Sequence, residues 1–338
     1  MGRTVLVSAA RTPFCRLGGD LAGASAVDLG VAAATAAVER AGIAATDIDY
    51  AYIGTVVQAG QMHAMARQVT TRIGVPVERG SETINKVCAS GLRAVALADY
   101  MIRLDEAGVV LAGGMESMTS APFLALGARQ GYRFGDVQLA DANLHDGLRD
   151  PWTHRVMYDQ ANEVSVGLGI TRDALDEWAL RSHLRAVEAQ RAGHFAPELT
   201  PVVIRERKGE RVVEQDQGPR EDSTLEALGK LPALTEGGTH TAGNSPGVTD
   251  GAAMLVAMSE EQAAARGATP LAHVLASGVS ADETNRLACA PAHAAQAALA
   301  RAGLTVADVT RLEVNEAFAS VALNTIAMLG IDPERVNV

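Results

Sequence analysis

Aromatic residues are scarce, at 4% of 338 positions, and cysteine scarcer still, with Cys15, Cys88 and Cys289 the whole complement. Three thiols without the paired spacing of a metal motif leave no metal site to expect, and an odd, widely spread count makes a poor disulfide framework; a reducing, cytoplasmic setting is the expectation. No uninterrupted apolar run approaches the roughly 20 residues of a helical membrane span, so no membrane partner is expected. The stretch from Met1 to Ser8 reads as a strand without the charged n-region and long apolar h-region of a signal peptide, and Leu6 breaks the myristoylation pattern. Basic residues number 29 against 40 acidic ones, for a net charge of −11. With no basic run, general nucleic-acid binding is excluded and any phosphate site must be local. What the chain has in quantity is small or aliphatic, 33 glycines within a 48% hydrophobic composition. That suits tightly packed β–α units built on Ala, Val and Leu, and the length allows two domains or one large α/β unit.

Alternating patterns give this class detail. Strand-like runs at Thr4–Ser8, Tyr50–Val57, Ser81–Asn85 and Val109–Gly113 are separated by helical stretches near Ala26–Ala41, Met62–Ile73 and Ala89–Leu104, which predicts a mostly parallel sheet with helices on its faces. Farther on, strands are expected at Ala252–Met258, Leu271–Gly278 and Arg311–Val314, with helices at Ala292–Ala302 and Ala317–Leu329. Between Thr119 and Asp250 the pattern becomes polar and punctuated by Asp-Gly, Gly-Pro and Gly-Gly, as expected of a helix-and-loop insertion that covers a substrate.

An internal echo organises the whole. Ala37 to Asp49 aligns without a gap on Ala298 to Thr310 at a constant offset of 261, with five identities, and each copy carries Arg-Ala-Gly before an Asp and a short apolar segment. Any two alanine-rich helices that end in glycine share some of this; the alternative is a duplicated α/β half. On the duplication, residues 1–118 form the first half, 119–250 the covering insertion and 251–338 the second half. The offset carries Cys88 to position 349, beyond Val338, so counterparts of the Cys88 turn and the Gly113 strand, roughly 40 residues, are expected to be missing and the chain to be a fragment of a two-half protein.

Cys88 sits in Asn85-Lys86-Val87-Cys88-Ala89-Ser90-Gly91, between an apolar strand and a helix that starts with small residues. A helix N-terminus with unpaired N–H groups can draw a thiol down toward neutral pH, and the small flank leaves room for a carbonyl to reach the sulfur. A lone cysteine elsewhere reads more simply as a small buried hydrophobe.

The blocks Asn85–Gly91, Ala112-Gly113-Gly114-Met115-Glu116-Ser117-Met118, Thr241-Ala242-Gly243-Asn244, Asp250-Gly251-Ala252-Ala253 and Asn315-Glu316-Ala317-Phe318 occur in the order found in thiolases. In this respect the chain, from Val5 and Arg11-Thr12-Pro13-Phe14 to Val336-Asn337-Val338, resembles the acetyl-CoA acetyltransferase and 3-ketoacyl-CoA thiolase family. The resemblance implies duplicated α/β halves in a layered αβαβα arrangement and a reversible Claisen condensation or thiolysis through an acyl-cysteine. Cys88 would be the nucleophile, its own N–H part of an oxyanion hole. Asn315 would hold a water that stabilises an enolate, although an Asn just before a helix serves equally as its cap. Glu316 would support that turn, and Gly113 and Gly114 would admit close backbone approach.

For coenzyme A the resemblance implies Arg220 near the nucleotide, Leu231 and Leu234 on adenine and pantetheine, Ser245 beside pantetheine, and Met157 in the acyl pocket; a solvent-facing arginine and two core leucines are the plain alternative. Val156 stands where many members carry histidine, and Pro246 where a serine is common. The family's Gly-His-Pro and Cys-x-Gly blocks do not occur here; Cys15 and Cys289 lie in other contexts and are read as inert thiols. The implied substrates are acyl-CoA and CoA, with no permanently bound cofactor and a homodimeric or homotetrameric assembly. A non-catalytic CoA-binding or scaffolding subunit and a related condensing enzyme are the alternatives.

Overall fold

The computed structural model describes residues 3–283 and 286–338; Met1 and Gly2 of the expected opening strand lie outside them. The strands, in chain order, are β1 (Thr4–Arg11), β2 (Cys15–Arg16), β3 (Tyr50–Gly54), β4 (Gly80–Ile84), β5 (Val109–Ser117), β6 (Phe123–Leu124), β7 (Ala140–Asp141), β8 (Val202–Glu206), β9 (Gly209–Val213), β10 (Thr249–Ser259) and β11 (Ala272–Val274). The helices are α1 (Ala26–Arg40), α2 (Met65–Arg72), α3 (Ser90–Arg103), α4 (Met157–Gly167), α5 (Arg172–Arg191), α6 (Leu225–Gly229), α7 (Glu260–Ala265), α8 (Ala290–Ala302) and α9 (Ala319–Leu329).

Two units result: unit 1 is Met1–Gly147, Phe195–Gly218 and Val248–Val274, and unit 2 is Leu148–His194, Pro219–Gly247 and Leu275–Val338. Unit 1 is built on a sheet of order β11-β1-β10-β5-β3-β4, with β2 alongside β10. Its helices cover both faces because the strands alternate. On β5, Val109, Leu111 and Met115 join α1 and α2 in one core cluster, whereas Val110 and Ala112 join α3 in another. Fully buried Ala33, Ala34 and Ala37 on α1 show how a chain poor in aromatics packs: small side chains bring the helix onto the sheet. The α1 start is fixed by a capping box in which Asp28 N donates to Ser25 Oγ (3.1 Å) and Ser25 N to Asp28 Oδ2 (3.0 Å).

The mostly parallel sheet expected from alternation is instead mixed. Only β3 runs parallel to its neighbours, β4 and β5; β10 enters from far downstream, lies antiparallel between β1 and β5, and pairs with β5 from Asp250↔Ser117 to Met258↔Val109. The strands expected to open the second half, Ala252–Met258 and Leu271–Gly278, therefore belong to this first sheet as β10 and β11. The covering stretch 119–250 is shared between the units, with the β6–β7 and β8–β9 hairpins in unit 1.

Unit 2 holds α4, α5, α6, α8 and α9 and, among the described residues, no strand beyond isolated bridges. Leu175 and Trp178 of α5 pack with Ala319 and Ala322 of α9, while Phe318 and Val321 pack with Ala161 of α4 and Ala288. The echo is real at the local level. Short 3-10 helices at Ala45–Asp47 and Val306–Asp308 keep the same spacing, each closed by its Asp accepting from the N–H three residues before, and Gly42 and Gly303 end the preceding helices at φ 67° and 69°. Past the 3-10 helices the two copies diverge: the first continues into β3, but the strand expected at Arg311–Val314 is reduced to the single parallel bridge Leu312↔Val336. No helix among the described residues is long and apolar enough to cross a membrane.

Candidate functional site

The site residues expected from the sequence fall in both units, Cys88 and Gly114 in unit 1 and the rest in unit 2. In unit 1, β4 ends at Ile84 and α3 begins at Ser90, so Cys88 rides on a tight turn between them. Val87 holds φ at 50°, an uncommon conformation for a β-branched residue that the surrounding bonds enforce. Ser90 Oγ accepts from Lys86 N (2.7 Å) and donates to Val87 O (2.6 Å), and Val87 N donates to Asn85 Oδ1 (3.0 Å). The glycine that lets α3 approach is Gly54, where a Cβ would stand 2.5 Å from Ser90 Cβ.

Cys88 is exposed, whereas Cys15 and Cys289 are 0% and 1% exposed. Burial also pushes the Cys15 thiol up to about 11, with Asp20 adding to the effect. The Cys88 thiol itself is not drawn down, contrary to the expectation from its helix. Loss of solvent around the sulfur raises it above its ordinary value, Cys88's own N–H works the other way, and the Glu116 carboxylate raises it further. The helix start offers little against this desolvation, because Ala89 N and Ser90 N donate to Lys86 O and Val87 O and so are not free for the sulfur.

Glu116 holds the neighbouring segment of unit 1. On β5 it continues the series Val110, Ala112 and Gly114 at every second position, on the face that carries α3. Its carboxylate accepts from Val56 N (2.7 Å), Val57 N (3.2 Å) and Thr55 Oγ1 (3.2 Å), and burial pushes it above the usual carboxylate range against those bonds. Of the two adjacent glycines, Gly113 has the tight approach, since a Cβ there would lie 2.1 Å from Ala253 O. At Gly114, the one expected to support the site, the nearest atom would be 3.5 Å away, an ordinary contact.

In unit 2, Asn315 is exposed and is not the helix cap, because α9 begins at Ala319 with Phe318 at the cap position. Glu316 anchors the segment: its carboxylate accepts from Trp178 Nε1 (2.8 Å), Ser182 Oγ (2.7 Å) and Asn337 Nδ2 (2.8 Å). The Thr241–Asn244 block joins in, Ala319 N donating to Asn244 O and Asn244 Nδ2 to Asp176 Oδ1.

The comparisons with known proteins cover both units. Residues 4–261 match the model of the thiolase N-terminal domain and residues 268–338 that of the thiolase C-terminal domain. The chain belongs to the thiolase family. It is 43% identical over 340 residues to the acetyl-CoA acetyltransferase of Escherichia coli, a match covering 100% of this chain and 86% of that protein. It is 42% identical over 343 residues to the probable acetyl-CoA acetyltransferase of Mycobacterium tuberculosis, again with 100% and 86% covered. The acetyl-CoA acetyltransferase of Paracoccus denitrificans is 41% identical over 339 residues, with 100% of this chain and 86% of that protein covered.

Within this thiolase, the coenzyme candidates all lie in unit 2 in varied settings. Leu231 is half-buried beside Gly243, where a Cβ would meet its Cδ1 at 2.6 Å, and Leu234 is 42% exposed, so neither is an ordinary core leucine. Arg220 is exposed, its backbone N donating to His183 Nδ1 (3.3 Å); Met157 opens α4 half-buried; Ser245 Oγ is enclosed without a hydrogen-bond partner. Sequence reasoning missed the supports. Arg172 donates to Asp176 (2.7 Å), Leu228 O and Leu231 O, and only the Arg-x-x-x-Asp spacing on a helix hinted at it. It also missed His240, 1% exposed, whose Nε2 lies 3.0 Å from Ser320 Oγ and whose ring meets Phe318 edge-on at 5.3 Å; burial pushes it down to about 4. No sequence signal marks a histidine that is kept neutral by burial.

Proposed function

We propose that this thiolase-family chain is an acyl-CoA C-acyltransferase that interconverts two acetyl-CoA with acetoacetyl-CoA and CoA, or cleaves a longer 3-ketoacyl-CoA. The single observation that carries the reading is the exposed residue Cys88 held on a strained, hydrogen-bonded strand-to-helix turn in a thiolase-family chain, while the other two cysteines are buried.

In the first half-reaction the Cys88 sulfur, as thiolate, attacks the thioester carbonyl, the Cys88 N–H stabilises the oxyanion, and the CoA thiolate leaves to give an S-acyl enzyme. A thiol held above its ordinary value at rest must lose its proton as substrate binds, so acylation is expected to quicken with rising pH. In the second half-reaction a second acyl-CoA gives up its α-proton to water, its enolate attacks the thioester carbonyl, and the C–S bond breaks so that the Cys88 thiolate leaves and takes up a proton; Asn315 holds the enolate-stabilising water and Glu316 supports its segment. Arg220, Leu231, Leu234, Ser245 and Met157 are the contacts proposed for the coenzyme and the acyl chain. Relatives named as acetyl-CoA acetyltransferases favour a short acyl group. A cytoplasmic, homo-oligomeric enzyme of acyl-chain metabolism fits the same reading.

The test is intact-mass spectrometry after mixing with acetyl-CoA. A gain of one acetyl group that maps to Cys88 and vanishes in Cys88→Ala supports the proposal. An adduct on Cys15 or Cys289, or none at any pH, overturns it.

A further inference from the structure

Beyond the nucleophile itself, we propose that Glu116 is a positioning residue for Cys88, holding the nucleophile turn through Val56 and Asn85. This rests on the reading of Cys88 as the acyl acceptor.

The relay runs bond by bond from the carboxylate to the turn. Glu116 takes the N–H groups of Val56 and Val57 and the hydroxyl of Thr55, which pins the segment after β3. Thr55 N in turn donates to Ile84 O (2.9 Å), the last residue of β4. Val56 O, oriented by this grip, accepts from Asn85 Nδ2 (3.3 Å), and the other end of that amide, Oδ1, accepts from Val87 N (3.0 Å). Asn85 thus clamps the N–H of the residue before the cysteine, while Ser90 holds the carbonyl of that same positive-φ residue. A backbone held at such an angle relaxes unless its neighbours over-determine it. The carboxylate at the far end of the relay supplies that constraint without touching the thiol.

Burial makes the arrangement more than packing. A neutral side chain would fill the same place at the end of β5 at lower desolvation cost, and only a group with two strong acceptor oxygens takes three donors from one short segment. The negative charge has a second effect: it disfavours the Cys88 thiolate at rest. Glu116 thus adds to the desolvation that disfavours the resting thiolate, while fixing the turn from which the sulfur attacks.

The experiment measures two quantities on the full chain: the rate of acyl-enzyme formation from acetyl-CoA, and the pH profile of Cys88 alkylation by iodoacetamide, read by peptide mass spectrometry. Glu116→Gln removes the charge at similar side-chain volume, so the alkylation midpoint should move down. Glu116→Ala releases the segment, and acylation should slow about tenfold or more while the plateau alkylation rate changes less than about twofold. Asn85→Ala breaks the relay and keeps the carboxylate; it should slow acylation by a similar factor and leave the midpoint in place. Should Glu116→Ala fail to fold, the Glu116→Gln midpoint and the Asn85→Ala rate carry the test. An unmoved midpoint in Glu116→Gln, or an Asn85→Ala protein that acylates at the wild-type rate, overturns the proposal. A wild-type protein that never acylates at Cys88 overturns the function reading instead, while the alkylation midpoint still reports on Glu116.

Discussion

Replacing His240 by glutamine should flatten the pH dependence of stability of unit 2. The ring is 1% exposed, in contact with Phe318 and Ser320, and burial pushes it from an ordinary 6.5 to about 4. A histidine whose folded value is depressed favours the fold fully above 6.5, and that contribution is lost as pH falls from 6.5 toward 4, because the unfolded chain takes up the proton first. At pH 5.0 the unfolded imidazole is nearly all protonated and the folded one only about a tenth so. The resulting population ratio of about 30 corresponds to about 2 kcal/mol relative to pH 7.5. Both tryptophans, Trp152 and Trp178, lie in unit 2, so urea unfolding monitored by tryptophan fluorescence reads the unit that contains His240. Wild type should lose about 2 kcal/mol more than His240→Gln between pH 7.5 and 5.0; every other titrating group cancels in the difference. Parallel curves, within about 0.5 kcal/mol across that range, would refute the claim that the ring is held neutral.

Three further outcomes can be checked. Gly113→Ala places a methyl 2.1 Å from Ala253 O and 2.8 Å from Met254 Cα and should destabilise unit 1 by about 2 kcal/mol or more, whereas Gly114→Ala, with 3.5 Å to its nearest neighbour, should cost less than about 1 kcal/mol in chemical denaturation. Asn315→Ala should slow condensation about 100-fold with the Tm within a few degrees, since the side chain is exposed and caps no helix; a fall in Tm with unchanged rate would count against the proposed role. Glu316→Ala strands the Trp178 indole N–H, the Ser182 hydroxyl and the Asn337 amide and should lower stability by about 1–3 kcal/mol in thermal melts.

Much of unit 1 was legible because its signals are local. The apolar run Val109–Gly113 and the helical stretch Ala89–Leu104 fall within a few residues of β5 and α3, since period and glycine placement act within one element. The Cys88 turn was legible for the same reason. The thiol's tuning was not. The residues that hold and surround its turn, Glu116, Val56 and Asn85, come from three different segments.

Taken alone, then, the sequence determined most of the elements, the echo at an offset of 261, the strand-to-helix turn that carries Cys88 and the family, because composition, periodicity and short motifs are properties of consecutive residues. Tertiary structure alone decided which strands share a sheet. Residues 249–259 have the same alternating pattern whether they open a new half or complete an old one, and they complete the old one by lying antiparallel between β1 and β5, where the backbone groups of both neighbours find hydrogen-bond partners. Tertiary structure also decided what surrounds each charge, and so raised the Cys88 thiol where its helix alone would have lowered it: desolvation and the field of a carboxylate are summed over space rather than along the chain.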